Sequence, residues 1–180
     1  MWGTFPKTFQ KALRPYVKGQ RVVDIGCGDC ERADILLGMD PEAIVGVDKD
    51  PPCKTSILTI PEYFNKALEH VKQFKPTVAH VAWPANYMTP GLVDLIQLVP
   101  TVIYVGSNVD GTGCGSMDFW RYITTREVLL YRPDRSNTLI IYGSKVVTRK
   151  LAHEEWAGLQ GWAPNSPVPD ACRFDATPYP

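Results

Sequence analysis

The chain has 180 residues, the size of one domain, which leaves room for a single buried core but not for a catalytic domain joined to a separate recognition domain. Its 19 basic and 19 acidic residues cancel and are mixed along the chain, which argues against a broad electrostatic footprint for nucleic acid; Lys145, Arg149 and Lys150 gather into a local basic face at most. No apolar run reaches membrane-spanning length, the first residues lack the charged-then-apolar layout of a signal peptide, and the odd, irregularly spaced cysteines argue against a disulfide framework, so the expectation is a cytoplasmic protein with reduced thiols.

Thr4 to Leu13 carries Phe5, Phe9, Ala12 and Leu13 at helical spacing, with Pro6 tolerated in the first turn and Pro15 closing the pattern. Arg21-Val22-Val23-Asp24-Ile25 then reads as a strand that flows directly into Gly26-Cys27-Gly28-Asp29, a turn in which two glycines let a ligand approach the main chain. Glu31 to Leu37 makes a short helix ended by Gly38, and Ile44 to Asp48 a buried second strand. Strand, glycine turn, helix and strand begin a parallel α/β sheet.

From Asp50 to Ser56 the chain is too short and proline-rich for a second crossover helix, so the fold is reduced there before a brief third strand, Ile57 to Ile60. Pro61 opens a helix whose Phe64, Ala67, Leu68, Val71 and Phe74 form one apolar stripe, with Glu69, Lys72 and Gln73 facing water and His70 near that solvated face. Thr77 to Ala82 is the fourth strand, and it delivers Trp83-Pro84-Ala85-Asn86-Tyr87 to the carboxyl edge of the sheet, where open α/β folds bind their ligands. Thr89 and Pro90 cap a helix over Gly91 to Leu98, and Thr101 to Gly106 is the fifth strand.

Ser107 to Gly115, rich in glycine and polar residues, reads as a mobile surface loop suited to act as a lid. A short helix over Met117 to Ile123 leads to two strands, Glu127 to Arg132 and Thr138 to Gly143. Leu151 to Leu159 suits a last helix. The predicted domain therefore covers 1–160, and 161–180 is a proline-rich tail without periodicity that lies extended or disordered, with Trp156 and Trp162 suited to docking part of this end of the chain.

A dinucleotide fingerprint needs a third glycine three positions after Gly28, where this chain has Glu31; a nicotinamide-dependent oxidoreductase is therefore disfavoured. The acidic residue, spacer, glycine, spacer, glycine pattern of Asp24 to Gly28 instead resembles the first motif of the class I S-adenosylmethionine-dependent methyltransferases, with Cys30 where that family commonly has a further glycine. The resemblance implies a three-layer Rossmann-like α/β fold, with a mostly parallel seven-stranded sheet closed by an antiparallel hairpin. It also implies S-adenosyl-L-methionine as cofactor. Asp24 would then lie near the methionine amino group, and the main chain of Gly26, Cys27 and Gly28 would face the amino-acid and ribose parts. Asp48, about twenty residues past the turn, with Lys49 beside it, is positioned for a carboxylate to accept both ribose hydroxyls. The alternative for Asp48 is a surface aspartate opening the turn Asp50-Pro51-Pro52. Glu62 and Tyr63 occupy the region where members of the family touch adenine.

Methyl transfer is an in-line displacement that asks for alignment and exclusion of water. The candidate catalytic residues are Trp83, Asn86 and Tyr87, which echo the aromatic, amide and proline motif of amino-methyltransferases. Trp83 or Tyr87 would stack on a planar acceptor or on adenine, and Asn86 would supply hydrogen bonds. The competing reading has Trp83 filling the core edge and Asn86 capping a turn. His80, inside a buried strand, is either a core histidine or a base, while Asp110 and Asp118 flank the flexible loop. Cys27 and Cys30 have the spacing of half a zinc site but would need two further ligands, so no metal is expected. The function read from the sequence is methyl transfer to nitrogen or oxygen of a small molecule or protein side chain, a long nucleic acid being disfavoured. The rival is a catalytically inactive S-adenosylmethionine-binding partner or regulator.

Overall fold

Phe9, Leu13 and Val17 recur on one side of the first helix, α1 (Lys7–Val17), and all three are fully buried against the sheet. The computed structural model describes residues 7–51, 56–84, 91–106, 117–123, 125–131, 138–143 and 149–150. The predicted start of α1 at Thr4 lies outside them, and its end differs from expectation: Pro15 sits inside the helix. Proline removes the amide that would bond the Lys11 carbonyl, a loss of roughly 3 kcal/mol in a helix interior. Lys11 and Pro15 both lie on the exposed side, so solvent can take up that carbonyl. Continuing past Pro15 buries Val17 and part of Tyr16, and the valine alone contributes about 1.5–3 kcal/mol.

The remaining elements follow as β1 (Arg21–Ile25), α2 (Glu31–Leu37), β2 (Ala43–Asp48), β3 (Leu58–Pro61), α3 (Phe64–Phe74), β4 (Val78–Ala82), α4 (Leu92–Gln97), β5 (Thr101–Gly106), α5 (Met117–Ile123), β6 (Leu129–Tyr131) and β7 (Thr138–Gly143). They form one seven-stranded sheet in the order β3-β2-β1-β4-β5-β7-β6. The first five strands run parallel, and β7 returns antiparallel between β5 and β6. Among the described residues no helix joins β2 to β3, and no helix is long and apolar enough to cross a membrane.

Strand residues alternate between two cores. Val23, Ile25, Val45, Val47, Val81 and Tyr104 face the side covered by α3, α4 and α5, whereas Val22, Val78, Ile103, Val105, Leu139 and Ile141 face α1 and α2. Burial on both faces explains why β1, β4 and β5 read as near-continuous apolar runs. Arg21 fixes the far edge of the sheet: Nε and Nη2 donate to the Phe74 carbonyl at 3.0 and 2.6 Å, and the guanidinium lies over the Phe74 ring. This satisfies a carbonyl at the C-terminus of α3, where a cation is favoured.

Several boundaries depart from the sequence reading. Pro61 is the last residue of the edge strand β3 instead of the first of α3, which proline tolerates because an edge strand leaves one side of its ladder open. Gly38 ends α2 in a right-handed conformation, and the left-handed residue is Asp40, at φ 68°. Gly91 caps α4 from outside it, at φ 88°. The first closing strand begins at Leu129 instead of Glu127, with Val128 pairing as an isolated bridge to Arg149, and Arg132 lies outside the described residues. The loop 107–115, the helix over 151–159 and the tail 161–180 lie outside the described residues.

Candidate functional site

The order of the sheet reverses direction between β1 and β4, so the chain leaves their carboxyl ends on opposite courses and opens a crevice there. β1 leads into this crevice through Gly26 and Gly28, which adopt φ 73° and 54°, a region open to glycine at little cost. The turn is tied to β2 at three points. The amides of Gly26 and Cys27 donate to the Val47 carbonyl at 2.7 and 3.3 Å, and the Gly28 amide donates to Asp48 Oδ2 at 3.0 Å. Asp48 Oδ1 accepts the Asp50 amide at 3.1 Å, the bond of an aspartate that opens a turn. A carboxylate has about four acceptor positions, and two remain for a diol.

Space above the turn suits a ligand at the main chain. A Cβ added to Gly28 would meet nothing within 4 Å, and one on Gly26 would touch only the Phe64 ring, at 3.7 Å. Beneath the turn the packing is tight: a Cβ on Gly46 would come within 2.7 Å of Cys27 Sγ, so the bare backbone of β2 makes the room that Cys27 fills. Cys30, at the position of the family's further glycine, keeps the left-handed conformation, with φ 64°, as the residue capping α2. For a residue with a Cβ this costs roughly 1–2 kcal/mol, which burial of its side chain offsets.

The thiols of Cys27 and Cys30 lie 3.6 Å apart in a small apolar cluster with Ala33 and Ile57. Burial first, and then the negative charge of Asp24, hold the Cys27 thiol far above its ordinary range. Burial raises Cys30 as well, against a smaller opposing effect of its contact with Cys27. Neutral thiols make poor metal ligands and nucleophiles. Among the described residues no group of three or more His, Cys, Asp or Glu is arranged to hold a metal.

Asp24 and His80 face one another across the β1–β4 seam, with Asp24 Oδ1 and His80 Nδ1 at 2.7 Å. Both residues are buried, at 1% and 0% exposure, and Asp24 Oδ2 has no hydrogen-bond partner among the described residues. The sequence reads His80 as either a core histidine or a base, and the structure makes it the buried partner of Asp24. Its polar character in an otherwise apolar strand was the available signal, but its partner depended on strand register.

Trp83 follows β4 at φ 44° and extends the ladder by donating its amide to the Val105 carbonyl at 2.7 Å. Its indole is 7% exposed, packs in the core that α1 makes with the sheet, and carries the Arg32 guanidinium 4.8 Å from its centroid. This is the core-edge arrangement of the two weighed for it. Asn86 and Tyr87 lie outside the described residues. Lys49 is exposed and 3.8 Å from Asp50; Glu62 is half-buried after β3, and Tyr63, at the start of α3, is 61% exposed beside the half-buried Phe64. Asp118 is exposed and pairs with Arg121 at 3.6 Å. Asp24, Gly26, Cys27, Gly28 and Asp48 thus lie at or just past the carboxyl ends of β1 and β2, with His80 beside Asp24 on β4, while Lys49 and Tyr63 are exposed.

No protein-family model and no curated protein matches the chain. Solved structures do. TrmK from M. capricolum, in complex with S-adenosyl-homocysteine, is 10% identical over 86% of this chain and 75% of its own, with a TM-score of 0.53. An rRNA methylase from Streptococcus thermophilus is 9% identical over 79% of this chain and 99% of its own, also at 0.53. A ribosomal protein L11 methylase from Lactobacillus delbrueckii subsp. bulgaricus is 16% identical over 79% and 81%, at 0.51. Identities this low speak to architecture alone: the chain has the class I S-adenosylmethionine-dependent methyltransferase fold.

Proposed function

We propose that the chain is a methyltransferase that uses S-adenosyl-L-methionine to methylate nitrogen or oxygen of an acceptor held beside residues 83–87. The observation that carries the reading is the Gly28 amide on Asp48 Oδ2 at 3.0 Å, with open space over Gly28. It leaves a carboxylate for a ribose diol next to bare main chain at the reversal point of the sheet. The acceptor atoms suit the cofactor at its other end too, because the buried Asp24 Oδ2, without a partner among the described residues, can accept from an ammonium group.

When bound, the cofactor supplies a methyl carbon on a sulfonium, an electrophile that needs no covalent help from the protein. The chain's own residues align and enclose. Asp48 and the glycine turn hold the nucleoside end, and Asp24 holds the amino-acid end. Trp83 anchors the start of this segment in the core, and Asn86 and Tyr87 orient the acceptor by hydrogen bonding and stacking. The balanced charge of the chain favours a small molecule or a protein side chain over a long nucleic acid. The rRNA methylase and the ribosomal protein methylase among its structural neighbours make RNA and protein the comparison arms of the test.

Calorimetry with S-adenosylmethionine, followed by transfer of labelled methyl to separated small-molecule, protein and RNA fractions of a cell extract, tests this reading. Binding followed by label in the small-molecule or protein fraction is expected. Label confined to RNA overturns the acceptor class, binding without transfer supports a non-catalytic cofactor-binding protein, and absence of binding overturns the whole reading.

A further inference from the structure

The Asp24–His80 pair is unusual in what surrounds it. Asp24 lies directly across from His80 on β4 and from Gly46 on β2, so one cross-strand neighbour on its face is an imidazole and the other has no side chain. His80 in turn lies beside Ile103 of β5. The 2.7 Å contact therefore joins a carboxylate to an imidazole on an apolar sheet face, with both groups closed to solvent. A carboxylate in that position accepts the hydrogen of Nδ1, which fixes the imidazole tautomer and the torsion of Asp24 together. Burial of such a pair is a weak device for stability, since apolar side chains of similar volume commonly do as well.

Asp24 Oδ2 is the informative atom. It is buried and has no hydrogen-bond partner, which is an unfavourable state for a carboxylate oxygen. It belongs to the residue two positions before Gly26, at the carboxyl end of β1, where the crevice opens. With Oδ1 occupied by His80, Oδ2 keeps acceptor capacity that no donor among the described residues takes up.

We infer that His80 is a positioning residue: it holds the Asp24 carboxylate so that Oδ2 receives the α-ammonium group of an amino-acid-bearing nucleoside, and so makes the site select the amino-acid portion of its cofactor. The inference rests on the cofactor reading above and adds to it a residue that touches Asp24 and not the ligand. It separates two contributions to affinity. Asp48 and the glycine turn serve the nucleoside, and the Asp24–His80 pair serves the amino-acid part.

Two ligands that differ in that part test it. S-adenosylhomocysteine carries the ammonium and carboxylate, whereas 5′-methylthioadenosine has the same thioether nucleoside without them. Wild-type protein should bind the first more tightly. His80→Leu, close in size but unable to donate, should weaken S-adenosylhomocysteine by about 10- to 100-fold, the loss of one charge-assisted contact, and leave 5′-methylthioadenosine unchanged. His80→Asn, whose amide nitrogen stands near the position of Nδ1, should restore most of the difference. Equal losses for both ligands, or no loss for either, overturn the inference. Should His80→Leu not fold, His80→Gln decides, because its amide nitrogen falls nearer the position of Nε2 and forgoes the Asp24 contact: selective loss supports the positioning role and retained selectivity overturns it. Wild-type protein that binds neither ligand removes the cofactor reading itself, a result distinct from normal binding that is indifferent to His80.

Discussion

The carboxylate of Asp48 accepts the backbone amide of Gly28 at 3.0 Å, so the end of the second strand holds the turn that follows the first. A ligand that lies on this turn meets a carboxylate already oriented by two amides, those of Gly28 and Asp50. Asp48→Ala is expected to weaken S-adenosylhomocysteine binding by about 1.5–3 kcal/mol, the range for charge-assisted bonds to a diol. Asp48→Asn, which keeps one acceptor oxygen, should lose less. Calorimetric affinities equal to wild type for both variants would remove Asp48 from the site.

Gly28 and Gly19 form a matched pair for separating backbone strain from ligand approach. Both have positive φ, 54° and 67°, and a Cβ on either would meet nothing within 4 Å. Alanine at either position should therefore cost about 1–2 kcal/mol in urea unfolding. Gly19 precedes β1 at the opposite edge of the sheet, so only Gly28→Ala should also weaken cofactor binding. Equal affinity in the two variants would mean that the ligand does not approach the main chain of this turn.

The part of the fold that could be read from sequence is the part written locally. Arg21 to Asp48 announces strand, glycine turn, helix and strand through apolar runs and glycine spacing, and Asp48 is legible because its distance from the turn is set by one crossover. What could not be read depends on contacts between remote segments. His80 meets Asp24 across 56 residues, and only the register of β1 with β4 makes them neighbours. Gly46 looks like an ordinary strand residue until Cys27 is seen to occupy the space it leaves. By the local rule Pro15 is a helix stop, and burial of Val17 overrides that rule. For Trp83 an aromatic residue after β4 fits a stacking surface or a core edge equally well from composition, and the Arg32 guanidinium over its ring reports which environment it has.

Gly91 should be among the least replaceable glycines of the described residues. Its φ is 88°, and an added Cβ would lie 2.6 Å from Asn65 Cα and 2.7 Å from the Phe64 carbonyl carbon, backbone atoms of α3 that cannot rotate away. Strain of about 1–2 kcal/mol and overpacking of about 1–3 kcal/mol predict that Gly91→Ala loses roughly 2–5 kcal/mol in urea unfolding. Because the obstruction is main chain, Asn65→Ala should not restore it. Restoration by that second change would show that the close approach is made by the Asn65 side chain instead.

The thiols beneath the turn predict how stability responds to alkali. Burial, followed by the charge of Asp24, raises the Cys27 thiol above its ordinary value of 9.0, and burial raises Cys30 in the same direction. Above about pH 9 the unfolded chain releases these protons while the native protein keeps them, so the unfolded state binds fewer protons and stability falls as pH rises. Below that pH their contribution is constant. The slope approaches about 1.4 kcal/mol per pH unit for each thiol that stays protonated only in the native state. Tyr142, raised by burial and then by its hydrogen bond with Tyr122, adds a second loss that begins near its ordinary value of 10.0. Urea midpoints measured at half-unit steps from pH 7.5 to 10.5 should therefore be flat and then decline in two stages. Cys27→Ala with Cys30→Ala should remove the first stage and Tyr142→Phe the second. A decline that begins near pH 9 and is unaltered by the cysteine changes would mean that the thiols ionise alike in the folded and unfolded chain.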